Sequence, residues 1–191
     1  MRKIGVLALQ GAFVEHAAIL RQLGVEAPLV RLANELEGLD GLIIPGGEST
    51  TIARLMLEYD LIGKIRRLAQ KGFPLMGTCA GMILLSKRAS DLNLEPLGAI
   101  DIKVRRNAFG RQVDSFETDI PIPALGDPPF HCVFIRAPFI EKAGREVEIL
   151  ARLPDGTGIA ARQGRIIVSA FHPELTPDLR FHRYFLNSSQ I

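Results

Sequence analysis

The chain has 191 residues, enough for one substantial core, and its 47% hydrophobic content, 23% charged content and two cysteines exclude a disulfide scaffold or a disordered chain. A net charge of +2 comes from 23 basic and 21 acidic residues spread along the chain, which argues against a nucleic-acid partner because no basic tract is present to track phosphates. The opening MRKIGVLALQ is apolar only over residues 4–9, short of a signal peptide or of the ~18 to 20 residues of a membrane helix, so the expectation is a cytoplasmic protein with reduced thiols, no membrane contact and a single domain over residues 1–191.

Residues 3–9 form a short apolar run that reads as a strand. Residues 12–23 follow with Phe13, Ala17 and Leu20 at helical spacing and Gly24 as the stop. Residues 25–32 and 39–44 repeat the strand signal, and Pro45-Gly46-Gly47 ends the second of them before a helical stretch opens at Ser49, a residue type that caps helices. Residues 62–70 are helical, residues 74–77 make a fourth short strand, and residues 80–86 continue as a helix. Strands alternating with helices call for a parallel sheet covered on both faces.

The second half changes character. Residues 100–104, 115–120, 130–136, 147–153, 158–162 and 165–171 are strand-like, and Pro154-Asp155-Gly156 and Gln163-Gly164 supply turns between the last three. Short turns make these antiparallel additions. Residues 177–186 read as a closing helix with Thr176 as its cap and Pro177 in its first position. The predicted fold is α/β: a three-layer sandwich with a central, mostly parallel sheet, antiparallel additions at the edge, and helices on both faces.

Within GTCAG, residues 77–81, one thiol stands where a strand gives way to a helix. The positive end of a helix dipole favours thiolate there, and the small residues on either side let backbone pass at a sharp turn, the logic of a nucleophile elbow. Taken alone, the stretch fits equally well a buried cysteine beside two turn glycines. A nucleophilic thiol needs a base, and four histidines are available. His16 and His182 lie in helical stretches and read as surface or packing residues. His131 precedes Cys132 in a strand, where neighbouring side chains point to opposite faces, so that pair makes a poor dyad.

His172 differs. It ends an apolar run and opens His172-Pro173-Glu174; the proline keeps it extended, so Glu174 projects to the same side and can fix the imidazole tautomer. In isolation HPE reads as a strand-end histidine with a surface glutamate; beside GTCAG it reads as base and orienter. Pro45-Gly46-Gly47-Glu48-Ser49-Thr50 lies on the sheet edge where open parallel sheets place ligands. Backbone N–H groups of Gly47 and Ala80 there can form an oxyanion hole. A plain turn at Gly46-Gly47 with Ser49 as a cap is the alternative.

With these residues assembled, the sequence resembles the triad class I glutamine amidotransferases. More narrowly it is similar to the family of glutaminase subunits of pyridoxal 5'-phosphate synthase, the PdxT family. The resemblance rests on IGVLALQGAFVEH at 4–16, GLIIPGGESTT at 41–51, GTCAGMILL at 77–85, RRNAFGRQVDSFE at 105–117, FIRAPFIE at 134–141 and FHPELT at 171–176. It implies that Cys79 is the nucleophile, His172 the general base and acid, and Glu174 its orienter. It further implies that Gly47, Glu48 and Ser49 line a glutamine pocket, that Arg106 pairs with the substrate, and that Ile135 and Arg136 hold the glutamine backbone. The implied reaction is hydrolysis of L-glutamine to glutamate and ammonia through a glutamyl thioester. The ammonia passes to a (β/α)8-barrel synthase subunit of the PdxS type that makes pyridoxal 5'-phosphate, the vitamin B6 cofactor, in a large hetero-oligomer. Gln10-Gly11 and the first helix, including Glu15 and His16, are expected near that partner. No cofactor or metal is implied for the chain itself.

The nearest rival is the glutaminase subunit of a different ammonia-using synthase, such as the imidazole glycerol phosphate enzyme, which lacks the RNAFGRQVDSFE segment. A cysteine hydrolase or chaperone with a related elbow carries histidine directly after the cysteine, where this chain has Ala80. A non-catalytic partner subunit requires a vestigial triad, and cysteine, histidine and glutamate are all present.

Overall fold

A computed structural model describes residues 2–90, 92, 95–106 and 115–188. In chain order its strands and helices are β1 Ile4–Leu7, α1 Phe13–Gln22, β2 Leu29–Val30, β3 Gly41–Ile44, α2 Ser49–Glu58, α3 Leu61–Gln70, β4 Leu75–Thr78, α4 Ala80–Leu85, β5 Ser86–Ala89, β6 Ile100–Arg105, β7 Ser115–Ile120, β8 Phe130–Ile135, β9 Phe139–Ala143, β10 Glu148–Arg152, β11 Gly158–Gln163, β12 Ile166–Ser169 and α5 Arg180–Ser188. One mixed sheet runs β2-β1-β3-β4-β12-β11-β9-β6-β5, with β10 paired to β11. From β2 to β12 all pairs are parallel; β12-β11, β11-β9 and β9-β6 are antiparallel, and β5 and β6 return to parallel. This is the mostly parallel α/β sheet with antiparallel additions that the residue pattern predicts. Strands β7 and β8 stand apart as a separate two-stranded sheet.

The central parallel strands are short, almost wholly apolar and buried at every position: IGVL in β1, GLII in β3, and IIVS in β12, whose last residue is the buried Ser169. A run with no polar alternation is what a strand covered on both faces requires. Strand β8 alternates instead: Phe130, Cys132 and Phe134 are buried and His131 and Ile135 exposed, the pattern of a strand with one wet face. Its inward phenylalanines meet Phe171 and Phe181, with Phe171 centroids 5.7 Å from Phe130, 6.0 Å from Phe134 and 5.2 Å from Phe181. This aromatic cluster fastens the small sheet to α5 and to the residue preceding His172. Truncating one such ring to alanine typically costs ~3 to 5 kcal/mol.

Three local expectations need correction. Residues 25–32 hold only the two-residue strand Leu29–Val30. Two strands were not foreseen: β5 carries polar Lys87 and Arg88 straight off the end of α4, and β9 is held in the sheet by β6 and β11. The closing helix starts at Arg180 rather than Pro177, because the Asp178 carboxylate accepts from the Arg180 amide at 2.9 Å, while the Thr176 hydroxyl accepts from the Asp178 amide at 3.4 Å. Among the described residues no helix is long and apolar enough to cross a membrane.

Candidate active site

Strands β3, β4 and β12 are adjacent and parallel, with Ile44 beside Gly77 and Thr78 beside Ser169. Their C-terminal ends therefore bring three sequence-distant segments to one edge: the Gly46-Gly47 turn, Cys79, and His172 with Glu174. Cys79 sits at the cap of α4 with φ 48° and ψ −102°, one of three non-glycine residues with positive φ among those described. That backbone costs a residue with a Cβ on the order of 1 to 3 kcal/mol and persists only where the surroundings enforce it. Its amide donates to Ser169 O at 2.7 Å. Glycines on either side make the turn possible by allowing close approach: a Cβ on Gly77 would stand 2.6 Å from the Gly81 backbone, and one on Gly81 would stand 2.0 Å from Ile44 O.

His172 follows β12 in a non-helical conformation, and Pro173 begins a short 3-10 turn, Pro173–Leu175, that carries Glu174. The amide of His172 donates to Val133 O of β8 at 2.8 Å, and its Nδ1 lies 2.7 Å from Glu174 Oε1. Burial works against a charge on His172, but hydrogen bonds with Cys79 and Glu174 outweigh it and its pKa is pushed up to about 10. Cys79, His172 and Glu174 are thus brought into one line. The Cys79 thiol also approaches Ile135 O at 3.8 Å.

These groups open on a cleft of about 330 Å³ lined by Gln10, Gly47, Glu48, Ser49, Cys79, Ala80, Ile83, Arg106, Ile135, Arg136 and His172. Every residue expected from the sequence to touch substrate or oxyanion borders this space, and Glu174 lies buried behind His172. Gly46 underlies the arrangement, since a Cβ there would stand 2.4 Å from the His172 ring. Arg106 ends the approach from β6, its amide donating to Ser90 Oγ at 3.1 Å. Arg136 holds φ 44°, which turns the chain sharply where β8 ends at the cleft.

Two expectations about this edge are corrected. Glu48, not Ser49, caps α2: its carboxylate accepts from the amides of Thr50 at 3.1 Å and Thr51 at 2.7 Å and from both hydroxyls. The Thr50 and then the Thr51 hydroxyl bonds hold its pKa down to about 2. Glu48 therefore borders the cleft with its carboxylate committed to its own helix, while its amide donates to Gln10 Oε1 at 2.7 Å. His16 is fully buried and so offers no surface to a partner, whereas Glu15 beside it is exposed. Cys132 faces away from the cleft in the core, where burial pushes its thiol up to about 12. Of the segment 105–117, residues 107–114 lie outside the described residues.

Gln10, Thr78, His16 and His182 were not singled out as site residues from the sequence. Gly46 donates to Thr78 Oγ1 at 3.1 Å and accepts from the Ala12 amide at 3.1 Å, so the oxyanion-side loop is tied to the start of α1. A signal for His16 did exist: it stands three residues after Phe13 and four before Leu20, inside the apolar stripe of α1.

Comparisons with known proteins point one way. The model of the SNO glutamine amidotransferase family matches residues 6–190. A Herpetosiphon aurantiacus protein named pyridoxal 5'-phosphate synthase subunit PdxT is 57% identical over 186 residues, 96% of this chain and 98% of that one. A Moorella thermoacetica protein of the same name is 55% identical over 96% of this chain and 97% of its own length. A solved structure described as a glutamine amidotransferase superposes with a TM-score of 0.92 at 50% identity, covering 98% of this chain and 99% of that one.

Proposed function

Since the chain belongs to the SNO glutamine amidotransferase family, we propose that it is the glutaminase subunit of a pyridoxal 5'-phosphate synthase, hydrolysing L-glutamine and passing the ammonia to a synthase subunit. The observation that carries this reading is the buried line of Cys79, His172 and Glu174 opening on a cleft walled by Gly47, Ala80 and Arg106.

In the proposed reaction His172 takes the Cys79 proton and the sulfur attacks the carboxamide carbon of glutamine, forming the C–S bond as the carbonyl electrons move to oxygen. Amides of Gly47 and Ala80 stabilise that oxyanion. The intermediate collapses with cleavage of the C–N bond, and His172 returns its proton to the leaving ammonia. A water, deprotonated by His172, then attacks the thioester carbonyl; glutamate leaves and Cys79 regains its proton. Glu174 holds the imidazole in the tautomer both steps need. Arg106 offers two parallel donors to the α-carboxylate of the substrate, the geometry a guanidinium suits. Ile135 and Arg136, which border the same cleft, hold the substrate backbone. The partner is expected to be a (β/α)8-barrel subunit of the PdxS type within a large hetero-oligomer. Two unpaired cysteines support a reducing, cytoplasmic setting.

The test is glutamate formation from glutamine by the purified chain, with and without the barrel synthase subunit and with Cys79→Ala as blank. Cys79-dependent activity that rises strongly with the synthase subunit is expected. Cys79-dependent activity indifferent to that subunit would move the chain to another ammonia-using synthase, and glutamate formation unaffected by Cys79→Ala would sink the triad.

A further inference from the structure

Behind Glu174 the chain buries two more histidines that the reaction as described does not use. His16 of α1 and His182 of α5 both have no solvent exposure. His16 Nδ1 lies 2.8 Å from His182 Nε2, and the rings sit with centroids 5.1 Å apart. On its other side His16 Nε2 lies 3.1 Å from Thr78 Oγ1 and 3.3 Å from Glu174 Oε2. Oε2 is the carboxylate oxygen that His172 does not use; it is fully buried, and no hydrogen bond of ideal geometry reaches it, so the His16 nitrogen is what stands opposite its charge.

We propose that His16 is a positioning residue for the triad: neutral, with its proton on Nε2, it steadies the outer oxygen of Glu174, and its tautomer is set by His182, whose Nε2–H donates to His16 Nδ1. The inference rests on the glutaminase reading above. The alternatives fail on elementary electrostatics. A proton on His16 Nδ1 instead would leave a nitrogen lone pair 3.3 Å from a buried carboxylate oxygen, a repulsive contact in a dry site. It would also make His182 Nε2 the acceptor and strand the His182 proton on Nδ1, a buried atom without a partner. An orphaned buried N–H is rarer and costlier than an orphaned lone pair. With the proton on Nε2 of both rings, no ring N–H is stranded: that of His182 meets His16 Nδ1 and that of His16 is shared between Thr78 Oγ1 and the nearby Glu174 Oε2, leaving the lone pair of His182 Nδ1 as the unmet ring atom.

A doubly protonated His16 is disfavoured as well. Burial, then the neighbouring His182 and His172, lowers its pKa well below the ordinary range, and burial lowers His182 to about 3. Glu174, His172 and His182 are the titratable groups facing His16 among the described residues, and only Glu174 favours a charge on it. Thr78 gives the arrangement a second arm. Its hydroxyl oxygen accepts from the Gly46 amide, so one imidazole touches both the carboxylate that orients the base and the threonine that holds the Gly46-Gly47 loop.

Two measurements test this. Nitrogen-15 chemical shifts of histidine-labelled full-length protein should show His16 and His182 as neutral Nε2–H tautomers throughout pH 6 to 8; an Nδ1–H tautomer or an imidazolium at His16 would overturn the proposal. This readout needs no turnover, so it decides the tautomer chain even if glutaminase activity is absent and the functional reading fails. In the glutaminase assay with the synthase subunit present, His16→Leu should lower kcat roughly 10- to 100-fold with KM nearly unchanged, by analogy with outer partners of metal-bound histidines. His16→Gln, which keeps an N–H near the Nε2 position, should recover most of that loss. Equal losses in the two variants, or wild-type kcat in His16→Leu, would reduce His16 to packing.

Discussion

The two halves of the sheet do different work at the cleft. The parallel half, β1 to β4 with β12, is buried on both faces and delivers Cys79, His172 and Glu174 from the ends of adjacent strands. The antiparallel side and the separate β7-β8 sheet deliver Arg106, Ile135 and Arg136 to the facing wall. Reacting groups thus stand at the ends of strands buried on both faces, and Arg106, Ile135 and Arg136 stand at the ends of strands with one wet face. Substitutions in the first region should act on turnover, and substitutions in the second on binding.

The largest effect should come from the parallel half. His172→Ala is expected to lower kcat by ~10⁴-fold, and Glu174→Ala by less, since orientation is only part of what the base contributes; steady-state glutamate release checks both. The same pair has a pH signature. The His172 pKa is raised to about 10 in the folded chain from an ordinary value near 6.5. Its stabilising contribution is therefore complete below about pH 6.5 and lost as pH rises through about 10. The difference in melting temperature between the parent and Glu174→Gln should shrink over that window.

Next comes the facing wall. Arg106→Ala should raise KM by ~10-fold or more while kcat changes little; a drop in kcat alone would break the division of labour. Smaller again is Glu48→Ala, which removes the cap of α2 at a cost of about 1 kcal/mol, read as a melting-temperature drop of a few degrees. The Glu48 pKa is depressed to about 2, so this contribution is present above about pH 4.5 and disappears as pH falls through 2. The smallest effect on turnover belongs to Cys132→Ala, because that thiol lies in the core of the outlying sheet, away from the cleft. A loss equal to that of Cys79→Ala would break the comparison altogether.

The parallel half was also the more legible. Unbroken apolar runs separated by helical spacing specify a buried strand with little ambiguity, and GTCAG, PGGES and HPE each end such a run. Strands β5 and β9 were missed because SKRA and FIEKA carry no clean alternation; their pairing with β6 and β11 decides their conformation, and that is tertiary information. The cap of α2 was misplaced by one residue because both Glu48 and Ser49 can accept amide protons, and only backbone geometry chooses between them. His16 and His182 escaped for a similar reason. Each is a polar residue on an apolar stripe, and the partner that makes it meaningful is 166 positions away.

The left-handed backbone at Cys79 has a consequence for anyone improving this protein. Glycine adopts φ 48° at no steric cost, so Cys79→Gly would relieve strain of about 1 kcal/mol or more while deleting the nucleophile. A directed-evolution campaign scored on heat resistance alone would reward that exchange. Every round of selection on this scaffold therefore needs a turnover assay beside the melting curve.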